Sequence, residues 1–205
     1  MCAAPGSDGL AALISGLSSP DRASRELGAG ELFGRGRELA RAAITDWLAD
    51  PKFAANMILD TSQFPLTTVG ISVAPETFER IYAANGSPRL AVVPPDQDAK
   101  EFELHFAQGV RLDILTTREP SGAGAVARYL QKFGEGIQQV ELLARNVNAA
   151  TEILRSRFGV QPIYPATRDG ADSTRVNFFL VSLPEKGPEK GKLLIELVEP
   201  AAPHS

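Results

Sequence analysis

The chain has 205 residues, 43% hydrophobic and 22% charged, enough for a buried core without disulfide or metal staples. Its net charge of −4 lacks the concentrated basic face that nucleic-acid binding needs, and no apolar run reaches the roughly 18 residues of a membrane-spanning helix. The only cysteine is Cys2, which excludes an internal disulfide, and with two histidines, His105 and His204, a His-rich zinc site is excluded as well. Residues 1–6 show neither the cationic nor the apolar region of a secretory signal, and a cytoplasmic location is expected.

Residues 10–58 carry helical periodicity. Leu10, Leu13, Ile14 and Leu17 recur on one helix face. Ser19 then reads as an N-cap, Pro20 as the first helical position and Asp21 as a favourable charge at the positive helix end. That second helix is expected to run to about residue 33 and to stop at Gly34-Arg35-Gly36. A third helix over 37–49 turns Leu39, Ala43, Ile44, Trp47 and Leu48 inward, and Asp50-Pro51 caps a short fourth. This N-terminal subdomain, residues 1–60, resembles one HEAT-type helical hairpin. Such a unit cannot bury its own face, so it is expected to pack on the rest of the chain or on a second copy, or else to recruit a partner.

From residue 66 the periodicity changes to alternation. Thr68-Val69-Gly70-Ile71-Ser72-Val73 reads as a half-buried strand, followed by a helix over 75–84 and strands over 89–93, 101–106 and 110–115. The second half repeats this order: a strand over 139–143, a helix over 148–158 ended by Gly159, and strands over 161–164, 175–181 and 192–198. The fold class is therefore α+β, with two tandem β-α-β-β-β modules (66–117 and 136–200) in a domain over 61–205. Between them, Ser121-Gly122-Ala123-Gly124 is a flexible linker leading to an amphipathic helix over 125–133. Residues 184–190 read as a hairpin loop; its Lys186 and Lys190, with Lys192, are either solvated or placed to meet an acidic ligand such as a coenzyme A phosphate.

Alternation gives each strand two faces. The apolar faces, among them Val69/Ile71/Val73, Leu112/Ile114 and Val176/Phe178/Leu180, are expected under the helices. The polar faces carry Thr68/Ser72, Glu101/Glu103/His105, Arg111/Asp113, Gln139/Glu141, Arg175/Asn177 and Glu196. They are either a solvated sheet surface or the lining of a concave cleft in a curled mixed sheet.

The repeated modules resemble the vicinal oxygen chelate superfamily, which includes glyoxalase I, extradiol dioxygenases, bleomycin resistance proteins and methylmalonyl-CoA epimerase. The likeness to the epimerase rests on Ala125–Leu130, on Gly134-Glu135-Gly136-Ile137-Gln138-Gln139-Val140, on Thr174–Phe178 and on Leu194–Glu199. It covers residues 66–200 and leaves out the helical sixty. The resemblance implies metal ligands at Thr68, Asp113, Gln139 and Glu196, with His105 as a substitute nitrogen donor. Both family histidines are absent: the motif G-I-H-H is here Gly136-Ile137-Gln138-Gln139, and Glu196 alone keeps its family residue type. A divalent metal held by such a set would be held weakly. The resemblance also implies proton abstraction next to a carbonyl, with Glu103 and Glu196 as bases. Without a strongly held metal, Arg111, Arg175 and Asn177 are the residues expected to bind substrate and the developing enolate charge. The resemblance implies a small-molecule ligand and a homodimer. Three functions follow: an epimerase-like or lactoylglutathione-lyase-like enzyme, a non-catalytic binder of the bleomycin-resistance type, or a structural or regulatory descendant without metal.

Overall fold

The helical N-terminal region begins with α1 (Ser7–Gly16) and α2 (Arg22–Leu48). The computed structural model describes residues 7–183 and 191–201, and Cys2, His204, Lys186 and Lys190 lie outside the described residues. The N-cap of α2 is Asp21 rather than Ser19: Asp21 Oδ2 accepts the Ser24 N–H at 2.9 Å, while Ser19 Oγ accepts the N–H of Asp21 itself. The expected stop at Gly34-Arg35-Gly36 does not occur, and α2 runs through it, with its kink later, at Ile44 (φ −118°, ψ 15°). The reason is packing. A Cβ on Gly36 would lie 2.5 Å from both Cγ atoms of Val69, so glycine permits a close approach that no side chain allows. Next comes α3 (Pro51–Ala55), capped as its sequence demands: Asp50 accepts from the N–H groups of Lys52 and Phe53, and Pro51 opens the helix.

The architecture is α+β, in two modules. The first contains β1 (Thr67–Ser72), α4 (Pro75–Ala84), β2 (Lys100–His105) and β3 (Arg111–Thr116). The helix α5 (Ala125–Phe133) follows, and the second module contains β4 (Gly136–Leu143), α6 (Val147–Phe158), β5 (Arg168–Asp169), β6 (Arg175–Ser182) and β7 (Lys192–Glu199). Asn146 caps α6 through the N–H of Ala149, and Gly159 ends it in the left-handed conformation (φ 66°, ψ 13°). Two expected strands are not regular strands. Residues 89–93 keep a bond from the Ala91 N–H to the Glu101 carbonyl and lie between Pro88 and Pro94-Pro95, which have no N–H to give a ladder. Residues 161–164 place the Ile163 N–H on the Phe178 carbonyl, while the short strand of that region is β5, further along the chain.

The chain divides into two compact units, one made of Met1–Gly36 and Thr68–Gln138, the other of Arg37–Thr67 and Gln139–Ser205. In the first unit β3 pairs antiparallel with β2 and parallel with β1. Its core joins Ile14, Leu17, Ala29, Leu32 and Phe33 of the helical region to Val69, Ile71, Phe78, Ile81, Phe102, Leu112 and Ile114. In the second unit β4 pairs parallel with β7, which pairs antiparallel with β6. Its core joins Ala40, Ile44, Trp47, Phe53 and Met57 to Val140, Leu142, Leu154, Phe179, Ile195 and Leu197. The helical sixty residues thus supply part of each core.

Candidate functional site

Register decides which side chains share a face. In the first unit Glu103 lies opposite Asp113 and His105 opposite Arg111 across the β2–β3 ladder, while Gly70 of β1 lies beside Asp113. Alternation puts Thr68 and Ser72 on that same face, since Val69 and Ile71 belong to the core. So the polar face expected of this module exists, with Thr68, Ser72, Glu103, His105, Arg111 and Asp113 on it. Asp113 is buried, at 5% exposure, and Thr68 and Ser72 are buried too. Ser72 Oγ donates to the Gln138 amide oxygen.

Glu103 has a different environment. Its side chain is 52% exposed and its Oε2 lies 2.5 Å from His105 Nε2. Both are on β2, beside a surface pocket of about 530 Å³ whose lining also includes Arg22 and Arg25 of α2. The face is not open throughout. Leu115, next on β3 after the core residue Ile114, packs with Val126 and Leu130 of α5 and with Val93 and Ala99. The helix read as part of a linker therefore covers one end of the polar face.

In the second unit Glu141 of β4 lies opposite Glu196 of β7, and Phe178 of β6 lies opposite Glu196 on its other side. Gln139, two residues before Glu141 on the same face, reaches across: its Nε2 donates to Glu196 Oε2 at 2.8 Å and to Glu141 Oε1 at 3.3 Å. Gln139 and Glu196 are 6% and 7% exposed.

Here β6 reverses the face expected of it. Asn177 lies opposite Leu197, a core residue, and Phe179 of the same parity is in that core. Arg175 and Asn177 therefore lie on the face opposite Glu196, and Val176, Phe178 and Leu180 share the face of Glu196. Asn177 is fully buried, its Oδ1 accepting the N–H of Phe178 and its Nδ2 lacking an acceptor among the described residues. The sequence could not choose, because residues 178–181 are apolar on both faces. Glu141 joins Gln139 and Glu196 here without having been expected as a functional residue; its signal in the sequence is the two-residue spacing from Gln139.

The metal set expected from the resemblance is Thr68 and Asp113 in the first unit and Gln139 and Glu196 in the second. In the second unit the half of that set is not arranged for a divalent cation. A glutamine can ligate only through its oxygen, yet Gln139 presents its NH₂ to Glu196 and Glu141. Among the described residues no three His, Cys, Asp or Glu side chains gather as a metal site.

No protein-family model and no curated protein matches the chain. Solved structures do. The methylmalonyl-CoA epimerase of Mycobacterium tuberculosis matches at 30% identity and TM-score 0.52, covering 72% of this chain and 96% of its own. The chain belongs to the vicinal oxygen chelate superfamily. Two Streptomyces coelicolor methylmalonyl-CoA epimerase variants, each in complex with 2-nitronate-propionyl-CoA, share its glyoxalase fold: one at 22% identity and TM-score 0.50, covering 72% of this chain and 99% of its own, the other at 23% and 0.51, covering 73% and 99%. No helix among the described residues is long and apolar enough to cross a membrane.

Proposed function

We propose that the protein is a glyoxalase-superfamily enzyme of the epimerase kind, which removes a proton from carbon next to a thioester carbonyl with Glu196 as the base. The observation that carries this reading is Glu196 itself: a buried carboxylate, of the family's residue type, held in place by the Gln139 amide at 2.8 Å. A general base must be fixed within reach of the carbon acid and shielded from bulk water. In the step, the carboxylate takes the C–H proton, the bonding pair moves to the carbonyl oxygen as an enolate, and reprotonation restores the carbon. The 30% identity to the Mycobacterium tuberculosis epimerase makes methylmalonyl-CoA the substrate to try first.

A second reading, a non-catalytic small-molecule binder, is favoured by Glu103. An epimerase needs a base on each side of its substrate, and this carboxylate is half-exposed and paired with His105. One experiment separates the two. Methylmalonyl-CoA is incubated with the protein in D₂O, and deuterium at the carbon between the two carbonyl groups is read by mass spectrometry. Exchange above background that falls about 10²–10⁴-fold in Glu196→Gln, the range for losing a positioned base, supports the enzyme. If Glu103→Gln leaves that exchange nearly unchanged, Glu196 alone is the exchanging base. Calorimetric binding without exchange establishes the binder and ends the enzyme reading.

A further inference from the structure

We infer that the Gln139 amide replaces a cation in this chain: it is a built-in donor clamp between Glu141 and Glu196, and the carboxylate pair stands without a divalent metal. The argument is geometric. Glu141 and Glu196 are direct neighbours across the β4–β7 ladder, so their like charges repel. A donor shared between them relieves that repulsion. A primary amide carries two N–H groups on one nitrogen, and Gln139 Nε2 lies 2.8 Å from one carboxylate and 3.3 Å from the other. The opposite orientation would set the amide oxygen against two carboxylates, which offer it no proton. With its nitrogen on the carboxylates, the amide turns away from this pair the one atom through which glutamine binds a metal.

The inference also accounts for the departure at Gln139. Where the resemblance implies an imidazole ligand, Gln139 sets a neutral donor of similar reach against both carboxylates, with no ion to bind or lose. It stands whether or not the carbon-acid reading does, because cation binding and proton exchange are read separately.

The test uses the full chain, treated with chelator and titrated with Mn²⁺, Co²⁺ and Zn²⁺ by calorimetry, with thermal midpoints read in parallel. The wild type is expected to bind none stoichiometrically and to keep its midpoint when the chelator is removed. Gln139→Glu removes the donor and adds a third carboxylate. It is expected to bind Mn²⁺ at least about tenfold more tightly than the wild type and to be stabilised by it, since affinity of oxygen sites rises with ligand charge. Should that variant fail to fold without metal, Gln139→His, which supplies an imidazole, is expected to gain Co²⁺ or Zn²⁺ instead. A wild type that binds one equivalent of cation and loses it in Glu196→Ala overturns the inference. So does a folded Gln139→Glu or Gln139→His protein that binds no better than wild type.

Discussion

Asp50 caps α3 with one carboxylate oxygen and takes the Arg157 guanidinium on the other, at 2.5 Å. Burial works to raise its pKa. Hydrogen bonds from the Phe53 N–H, Arg157 and the Lys52 N–H, with the Arg157 charge, outweigh that and hold the carboxyl below its ordinary value. In the unfolded chain an aspartate titrates near about 3.9. Stability from this group is therefore complete above that pH and is lost as pH falls through the lower folded value. Removing Arg157 leaves burial less opposed, so Arg157→Ala should move the acid-unfolding midpoint, followed by circular dichroism, to higher pH. An unmoved midpoint would show that the pair contributes nothing. Asp50 was legible because Asp-Pro before an apolar turn is a local signal. Asn177 was not, because its burial depends on how β6 registers against β7. Glu196 was legible by resemblance, whereas its Gln139 clamp needed the cross-strand geometry.

Among the elements, α2 departs most from its sequence pattern. Glycine lowers helix propensity by about 1 kcal/mol relative to alanine, and Gly34-Arg35-Gly36 reads as a terminator on that ground. Context separates the two glycines. A Cβ on Gly34 meets nothing within 4 Å, whereas one on Gly36 meets both methyls of the fully buried Val69 at 2.5 Å. Gly34→Ala should raise stability by up to about 1 kcal/mol. Gly36→Ala gains the same propensity but overpacks the core at a cost of about 1–3 kcal/mol, so its net effect is neutral to destabilising. Urea unfolding of the two variants measures both, and equal shifts would refute the close-approach account. The same logic covers α5. Its amphipathic stripe was visible in Val126 and Leu130, but not that the stripe would pack on Leu115, a residue of the otherwise polar face of β3.

Over the whole molecule, the repeat of strand, helix and strands was readable because alternation and helical spacing are local, and the resemblance to the superfamily rests on the motifs within it. The use of the first sixty residues was not readable, since an apolar helix face does not say which surface it will cover. Those residues contribute Ile14, Leu17, Ala29, Leu32 and Phe33 to one core and Ala40, Ile44, Trp47, Phe53 and Met57 to the other. Fully burying one large apolar side chain stabilises by about 1.5–3 kcal/mol. Counting only the larger of these, the sum is as large as or larger than the roughly 5–15 kcal/mol that a folded domain holds in total. Deleting residues 1–60 should therefore abolish cooperative folding of the remainder: no sharp thermal transition, and binding of a dye that reports exposed apolar surface. If the shortened chain instead melts sharply near the full-length midpoint, residues 61–205 form a self-sufficient domain and the helices are an appendage. The packing favours the first outcome, because each core loses a group of buried side chains that pack directly on its strands and helices.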